Sequence, residues 1–282
     1  MEIERLAVLG AGQMGAGIAQ VAACSGYPVV MIDIEQDYLD RGLSSIERSL
    51  SKLVSKGRMS EEEAKSAISL VSTSVYRDSA SEADLVIEAI PEVLELKASA
   101  FSDLDEICKE TAILATNTSS ISIDEIAAST RRPGRVIGMH FMNPVPIMKL
   151  IEIINGSQTL PEVTKAILEV SERMGKTPLQ CNDSPGFVSN RILCPMLNEA
   201  ILALQEGVAE PEAIDGIMKL GMNHPLGPLA LADLIGLDTV LHIMNVLREG
   251  LEDEKYAPAE LLVSMVSEGK LGRKSGQGFY SY

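Results

Sequence analysis

Two residues in this sequence suit proton transfer by type and by setting, His140 and Glu152. His140 ends an apolar run, Val136-Ile137-Gly138-Met139, that reads as a strand. In an open α/β sheet ligands gather at the carboxyl ends of strands, and an imidazole titrates near neutral pH, so this position favours acid–base work. Taken alone, His140 is more simply read as a structural histidine bonded to a loop carbonyl. Glu152 shifts the balance. In the apolar strand Leu150-Ile151-Glu152-Ile153-Ile154, alternation puts its carboxylate on the face of Leu150 and Ile154. A charge among such neighbours is costly unless paired. His140 lies 12 residues earlier, across the turn Asn143-Pro144-Val145-Pro146, and is the natural partner. A carboxylate holding an imidazole fixes its tautomer and raises its basicity. The competing reading is an edge-strand glutamate pointing to water. Asn190 also falls on an apolar helical stripe, with Leu193, Cys194 and Leu197, and its buried amide needs partners. Those partners are either a ligand or the neighbouring backbone. Ser119, in the loop Asn117-Thr118-Ser119-Ser120, can donate to a substrate oxygen or simply start a helix.

A second constellation precedes these. Gly10-Ala11-Gly12-Gln13-Met14-Gly15 follows the strand Leu6-Ala7-Val8-Leu9 and opens a helix. In this pattern the first glycine makes the tight turn, the second lets a pyrophosphate approach the backbone, and the third lets helix pack on strand. The helix N-terminus adds amides and a positive dipole end. Asp33 follows the next strand, Val29-Val30-Met31-Ile32, where an acid accepts hydrogen bonds from an adenosine ribose. Its carboxylate would repel a 2′-phosphate, so the spacing favours NAD over NADP.

The elements that position these residues alternate. Further strands are expected at Leu85-Val86-Ile87 and Ala112-Ile113-Leu114-Ala115, with helical stretches between them. Ser60 with Glu63, and Ser122 with Glu125, have capping-box spacing. This is the order of an α/β, doubly wound, mainly parallel sheet of the Rossmann type. From Asn182-Asp183-Ser184-Pro185-Gly186 onward the pattern turns helical, with no convincing strand. The expected domains are therefore residues 1–183, with a helical arm at about 37–65, and an all-helical domain over 184–282.

Composition narrows the classes. The net charge of −16 argues against nucleic acid, and no apolar run reaches the roughly 20 residues of a membrane span. The N-terminal residues are unlike a signal or transit peptide, so the expected location is cytoplasmic. Four scattered cysteines and three histidines give no metal-site spacing, and no metal is expected.

The glycine loop occurs in one order with Glu88-Ala89-Ile90-Pro91-Glu92, Asn117-Thr118-Ser119-Ser120, His140-Phe141-Met142-Asn143-Pro144-Val145-Pro146, Gly186-Phe187-Val188-Ser189-Asn190-Arg191 and Gly272-Arg273-Lys274-Ser275-Gly276-Gln277-Gly278-Phe279-Tyr280. Together they resemble the L-3-hydroxyacyl-CoA dehydrogenases over nearly the whole chain. The length is most similar to the bacterial 3-hydroxybutyryl-CoA branch. Met142 departs from the phenylalanine common there. The resemblance implies an NAD-dependent dehydrogenase of short (3S)-3-hydroxyacyl-CoA substrates. It implies His140 as the general base paired with Glu152, and Ser119 and Asn190 beside the reacting oxygen. It adds cofactor contacts from Glu92, Lys97, Asn143 and Lys274 to those of Gly10, Ala11, Gly12, Gln13, Met14, Gly15 and Asp33. A homodimer through the helical domain is also implied. The arm resembles the family's CoA-proximal helices, where Lys52, Lys56 and Arg58 are candidate cations for phosphate, although solvated charges on a helical face are the simpler reading of each. Two other readings are a related dehydrogenase of a free hydroxy acid or sugar acid, as in the lambda-crystallin-like branch, and a non-catalytic NAD-binding protein.

Overall fold

The computed structural model describes residues 2–282. Two compact units divide the chain, the first ending at Asp183 and the second spanning Ser184–Tyr282.

In the first unit, β1 (Leu6–Leu9) is buried along its length, as a strand covered on both faces must be. The glycine loop leads into α1 (Gln13–Cys24), whose small apolar residues let it lie buried from Gly15 to Ala23. Next come β2 (Val29–Ile32), α2 (Gln36–Ser55), α3 (Glu61–Ser69) and β3 (Val71–Ser74). One stripe of α2, Leu39, Ile46 and Leu50, is buried in the core that also holds α1. Each such side chain stabilises the fold by about 1.5–3 kcal/mol. Ser60 and Glu63 close a complete capping box at the start of α3. The unit continues with β4 (Leu85–Glu88), α4 (Leu94–Ile107), β5 (Ile113–Thr116), α5 (Ile123–Ala127), β6 (Val136–Phe141), β7 (Leu150–Asn155), α6 (Pro161–Arg173) and β8 (Thr177–Asn182).

The eight strands form one sheet in the order β3-β2-β1-β4-β5-β6-β7-β8. Strands β1 to β6 pair in parallel, β7 runs antiparallel to β6, and β8 is parallel to β7. The α/β, mainly parallel architecture is the expected one. Two strands were not expected, β3 and β8, and β6 extends past Met139, so His140 lies within the strand. Both additional strands are sheet edges, half exposed and polar, so neither needs an apolar pattern. At α5, Ser122 forms half of a capping box: its Oγ accepts from the Glu125 amide while donating to Asp183 Oδ2.

The second unit comprises α7 (Ser189–Gln205), α8 (Pro211–Gly221), α9 (Pro228–Ile235), α10 (Leu237–Leu251) and α11 (Glu260–Ser267). They enclose a separate core including Leu197, Ile201, Leu229, Val240 and Leu247. Two buried carboxylates organise its end. Asp215 caps α9 by accepting from the Leu229 and Ala230 amides at 2.8 and 3.0 Å, and it also accepts from the Tyr280 hydroxyl at 2.9 Å. Asp233 accepts from the Phe279 and Tyr280 amides, each at 3.0 Å, and from the Tyr282 hydroxyl at 3.1 Å. The carboxyl-terminal turn, with isolated bridges at Gly272–Gln277 and Gln277–Ser281, is thereby tied to α9. Among the described residues no single helix is long and apolar enough to cross a membrane.

Candidate active site

The antiparallel pairing of β6 and β7 puts His140 directly opposite Glu152. Their side chains meet, with Nδ1 3.0 Å from Glu152 Oε2, and the residues are only 9% and 4% exposed. At such burial a carboxylate strengthens its hold on the imidazole, because water screens the pair little. It favours the tautomer protonated at Nδ1. The end of β6 is itself fixed: the Phe141 amide donates to Asn117 Oδ1 at 2.9 Å, and the Asn117 amide donates to the Glu88 carbonyl at 2.8 Å. His140 therefore belongs to a frame linking the carboxyl ends of β4, β5 and β6.

At the end of β1 the glycines divide their work. A Cβ on Gly10, whose φ is +105°, would stand 2.6 Å from the Ala89 carbonyl oxygen. On Gly15 it would stand 1.9 Å from the Gly10 carbonyl oxygen. On Gly12 it would meet nothing within 4 Å, and no side chain caps α1. The first and third glycines thus serve the fold, while the second leaves backbone open at a helix N-terminus. Asp33, at the end of β2, accepts from the Ala11 amide at 2.6 Å through Oδ2 and from the Ile34 amide at 2.7 Å through Oδ1. Its carboxylate thus holds the loop. Gln13 donates to Asn143 Oδ1 at 3.1 Å, which links the loop to the β6–β7 turn.

A charged cluster lies beneath the loops. Glu88, fully buried at the end of β4, accepts from Lys97 Nζ at 2.6 Å, the Ile90 amide at 2.7 Å and the Thr116 hydroxyl at 2.6 Å. Lys97 is 1% exposed and also reaches Glu92 Oε2 at 3.3 Å. The other oxygen of Glu92 accepts from the Ser119 and Ser120 amides at 2.7 and 3.1 Å and from the hydroxyls of Thr118, Ser119 and Ser120. Burial pushes the Glu88 carboxyl above its usual range, against the pull of Lys97. At Glu92 burial acts in the same sense, but Lys97 and the donors from Thr118 and Ser119 outweigh it and hold the carboxyl below its usual range.

On the arm, Lys52 and Lys56 are exposed at the end of α2. The same helical face carries Ser45 and Ser49, which line a cleft with Gln13, Gln20, Asn143 and Pro144. In the second unit, Asn190 is half-buried in the first turn of α7. Lys274 lies in the short turn Arg273–Ser275 and forms an ion pair with Asp238 at the start of α10. Among the described residues no group of His, Cys, Asp or Glu is arranged to hold a metal ion. Burial pushes the Cys108 and Cys194 thiols up to about 11 and about 12, so neither is a thiolate at neutral pH.

Residues 5–184 match the family profile described as 3-hydroxyacyl-CoA dehydrogenase, NAD binding domain, and residues 186–282 match the one described as its C-terminal domain. The chain belongs to the 3-hydroxyacyl-CoA dehydrogenase family. It is 58% identical to a probable 3-hydroxybutyryl-CoA dehydrogenase of Deinococcus radiodurans, over 99% of this chain and 100% of the relative. It is 49% identical to the 3-hydroxybutyryl-CoA dehydrogenase of Clostridioides difficile, over 99% of each. Among solved structures, the (S)-3-hydroxybutyryl-CoA dehydrogenase of Ralstonia eutropha superposes with a TM-score of 0.98 at 48% identity, covering 100% of this chain and 99% of that one.

As a member of this family the chain uses NAD, and its first unit fits the dinucleotide: the open backbone at Gly12 and the uncapped start of α1 suit a pyrophosphate. The structure brings His140 and Glu152 together, and it joins Glu92 and Lys97 to the Ser119 loop. Two residues of this dehydrogenase had no place in the sequence reading of the site, Glu88 and Thr116. The signal for Glu88 was an acid closing a fully buried strand. The signal for Lys97 as a buried cation was its helical spacing with Ala100, Phe101 and Leu104, all buried on α4.

Proposed function

We propose that the protein interconverts a short (3S)-3-hydroxyacyl-CoA, with 3-hydroxybutyryl-CoA as the model substrate, and the corresponding 3-oxoacyl-CoA. NAD, when bound, accepts or returns the hydride. His140 is the general base in oxidation, taking the 3-hydroxyl proton, and the general acid in reduction. Glu152 keeps the imidazole in one tautomer and stabilises its protonated form. The observation that carries this reading is the buried His140–Glu152 pair, 3.0 Å across the β6–β7 hairpin. Ser119 and Asn190 are assigned to the reacting oxygen. Gly10 to Gly15, Asp33, Glu92, Asn143 and Lys274 are assigned to the cofactor and its loops, with Lys97 acting through Glu92. Lys52 and Lys56 offer cations to the CoA phosphates, and the serine-lined cleft beside them suits the polar chain between phosphate and thioester. The substrate preference draws support from the 3-hydroxybutyryl-CoA relatives that match this chain along its whole length.

An assay of acetoacetyl-CoA against free acetoacetate, with NADH and with NADPH, tests the reading. Faster reduction of the CoA ester with NADH is expected. Equal or better turnover of free acetoacetate would refute the thioester assignment, and a strong preference for NADPH would refute the role of Asp33.

The second unit carries an apolar exposed face on and just after α8, with Ile217 60%, Leu220 91% and Met222 62% exposed. A soluble chain rarely leaves such a patch uncovered, which supports a homodimer formed through this unit. Sedimentation equilibrium at micromolar concentration is expected to give twice the 30.3 kDa chain mass. A monomer would refute it.

A further inference from the structure

We propose that Glu88 is a positioning residue for the Ser119 loop, acting through Lys97 and Glu92. This rests on the role given to Ser119 above.

The linkage starts from the interior of the sheet, where β4 is paired on both sides. Glu88 closes β4 in register with Leu9 of β1 and Thr116 of β5, so its backbone is fixed on both sides. Its carboxylate is fixed as well, by the Thr116 hydroxyl and the Ile90 amide. An ammonium offers three donors, and those of Lys97 are all engaged: Glu88 at 2.6 Å, the Ile90 carbonyl at 3.2 Å and Glu92 at 3.3 Å. The shortest contact, to Glu88, determines where Nζ sits. Glu92, by contrast, lies in the irregular segment between β4 and α4 and is partly exposed. Nothing in its own backbone pairing fixes it as a strand would. Its anchor is Lys97 on one oxygen, which leaves the other to gather the hydroxyls of residues 118–120 and the amides of Ser119 and Ser120. The sheet thus holds the Ser119 and Ser120 amides through two side chains in series, and Glu88 is the end attached to the sheet.

Charge neutralisation alone would be a different role. A lysine this buried needs a counter-ion to fold, whatever the loop does. Glu88→Gln strands that ammonium, so a lowered melting temperature in this variant is expected on either account. The double variant Glu88→Gln/Lys97→Met removes the two fully buried charges together and breaks the linkage, leaving the part-exposed Glu92 with its donors from residues 118–120.

The experiment compares wild type with the double variant by thermal unfolding, by hydrogen–deuterium exchange at the Ser119 and Ser120 amides, and by turnover of acetoacetyl-CoA with NADH. The double variant is expected to melt within a few degrees of wild type. Its two serine amides should exchange at least about tenfold faster, while amides elsewhere in the sheet keep their protection. Turnover should fall by about tenfold or more. The single variant Glu88→Gln, which loosens the sheet end of the linkage, should raise the same two exchange rates by about threefold. Wild-type exchange at both amides, in whichever variant folds, would overturn the proposal. An inactive wild-type protein would instead refute the reaction assigned above and leave the exchange result standing.

Discussion

Replacing Glu152 by glutamine removes one charge and almost no volume from the heart of the site. The carboxylate lies 3.0 Å from His140 Nδ1, and both residues are buried. Two unit charges about 4 Å apart interact by about 4 kcal/mol at an effective dielectric of about 20. That figure bounds what Glu152 contributes when the imidazole becomes charged. An amide oxygen can still accept from Nδ1–H, so part of the hold on the tautomer survives. The loss in kcat is therefore expected at about 10²–10³-fold, given about 1.4 kcal/mol per tenfold change in rate. Stability should move the other way or not at all. A neutral imidazole strands no charge when its partner becomes neutral, and a buried carboxylate no longer has to be desolvated. The assay is steady-state reduction of acetoacetyl-CoA at saturating NADH, beside a thermal melt of the same preparation. Turnover within threefold of wild type would refute the pairing as a catalytic device. A collapse of the melting temperature accompanying lost activity would show that Glu152 acts on folding instead.

Three other perturbations follow from the geometry. Gly12→Ala should leave the melting temperature unchanged, because its Cβ meets nothing within 4 Å, yet weaken NADH binding by about tenfold or more if phosphate approaches the backbone there; fluorescence titration of NADH reads this, and unchanged affinity would place the pyrophosphate elsewhere. Gly278→Ala drives a Cβ to 1.9 Å from Asp233 Oδ1 and forces that carboxylate off the Phe279 and Tyr280 amides. It should cost about 2–4 kcal/mol by urea unfolding, from overpacking plus lost hydrogen bonds; a loss under about 1 kcal/mol would mean that the tail is only loosely attached. Asp105 is held below its usual range because the bonds from Arg131 and Arg132 outweigh its burial. A depressed carboxyl contributes stability that is present above its unfolded pKa, near 4, and is lost as pH falls through the lower folded value. Asp105→Asn should therefore destabilise the protein at pH 6 and narrow its gap to wild type below about pH 4, read as urea midpoints across that range; a constant gap would exclude this charge as the cause.

Much of the architecture was legible because one physical signal dominated locally. The run Leu6 to Leu9, the glycines and Asp33 announce a buried strand, a tight turn and a helix start, none of which depends on distant residues. Glu152 was legible because strand alternation forces its carboxylate among apolar neighbours, and the antiparallel return of β7 puts His140 opposite. Edge strands were not legible. Residues Val71 to Ser74 and Thr177 to Asn182 are polar and half exposed, and they pair on one side only, so their strand character comes from a neighbour. The tie of Lys97 and Glu92 to Glu88 escaped for a related reason. Its members are set by how β4, the following loop and α4 fold back on one another, and no fixed period relates their spacing.

The hydrogen bond from the Ala11 amide to Asp33 bears on how cofactor preference can change. The residue proposed to disfavour a 2′-phosphate is also the brace of the loop proposed to receive the pyrophosphate. Exchanging Asp33 for a neutral or basic side chain would relax the electrostatic exclusion and, in the same step, leave the Ala11 amide without its acceptor. A redesign toward NADP, whether in the laboratory or by drift, therefore has to move in pairs: the new side chain at position 33 must arrive with another oxygen for Ala11. Single substitutions should trade one cofactor's affinity for general weakness toward both, so this crevice sits on a ridge that one-step evolution does not readily cross.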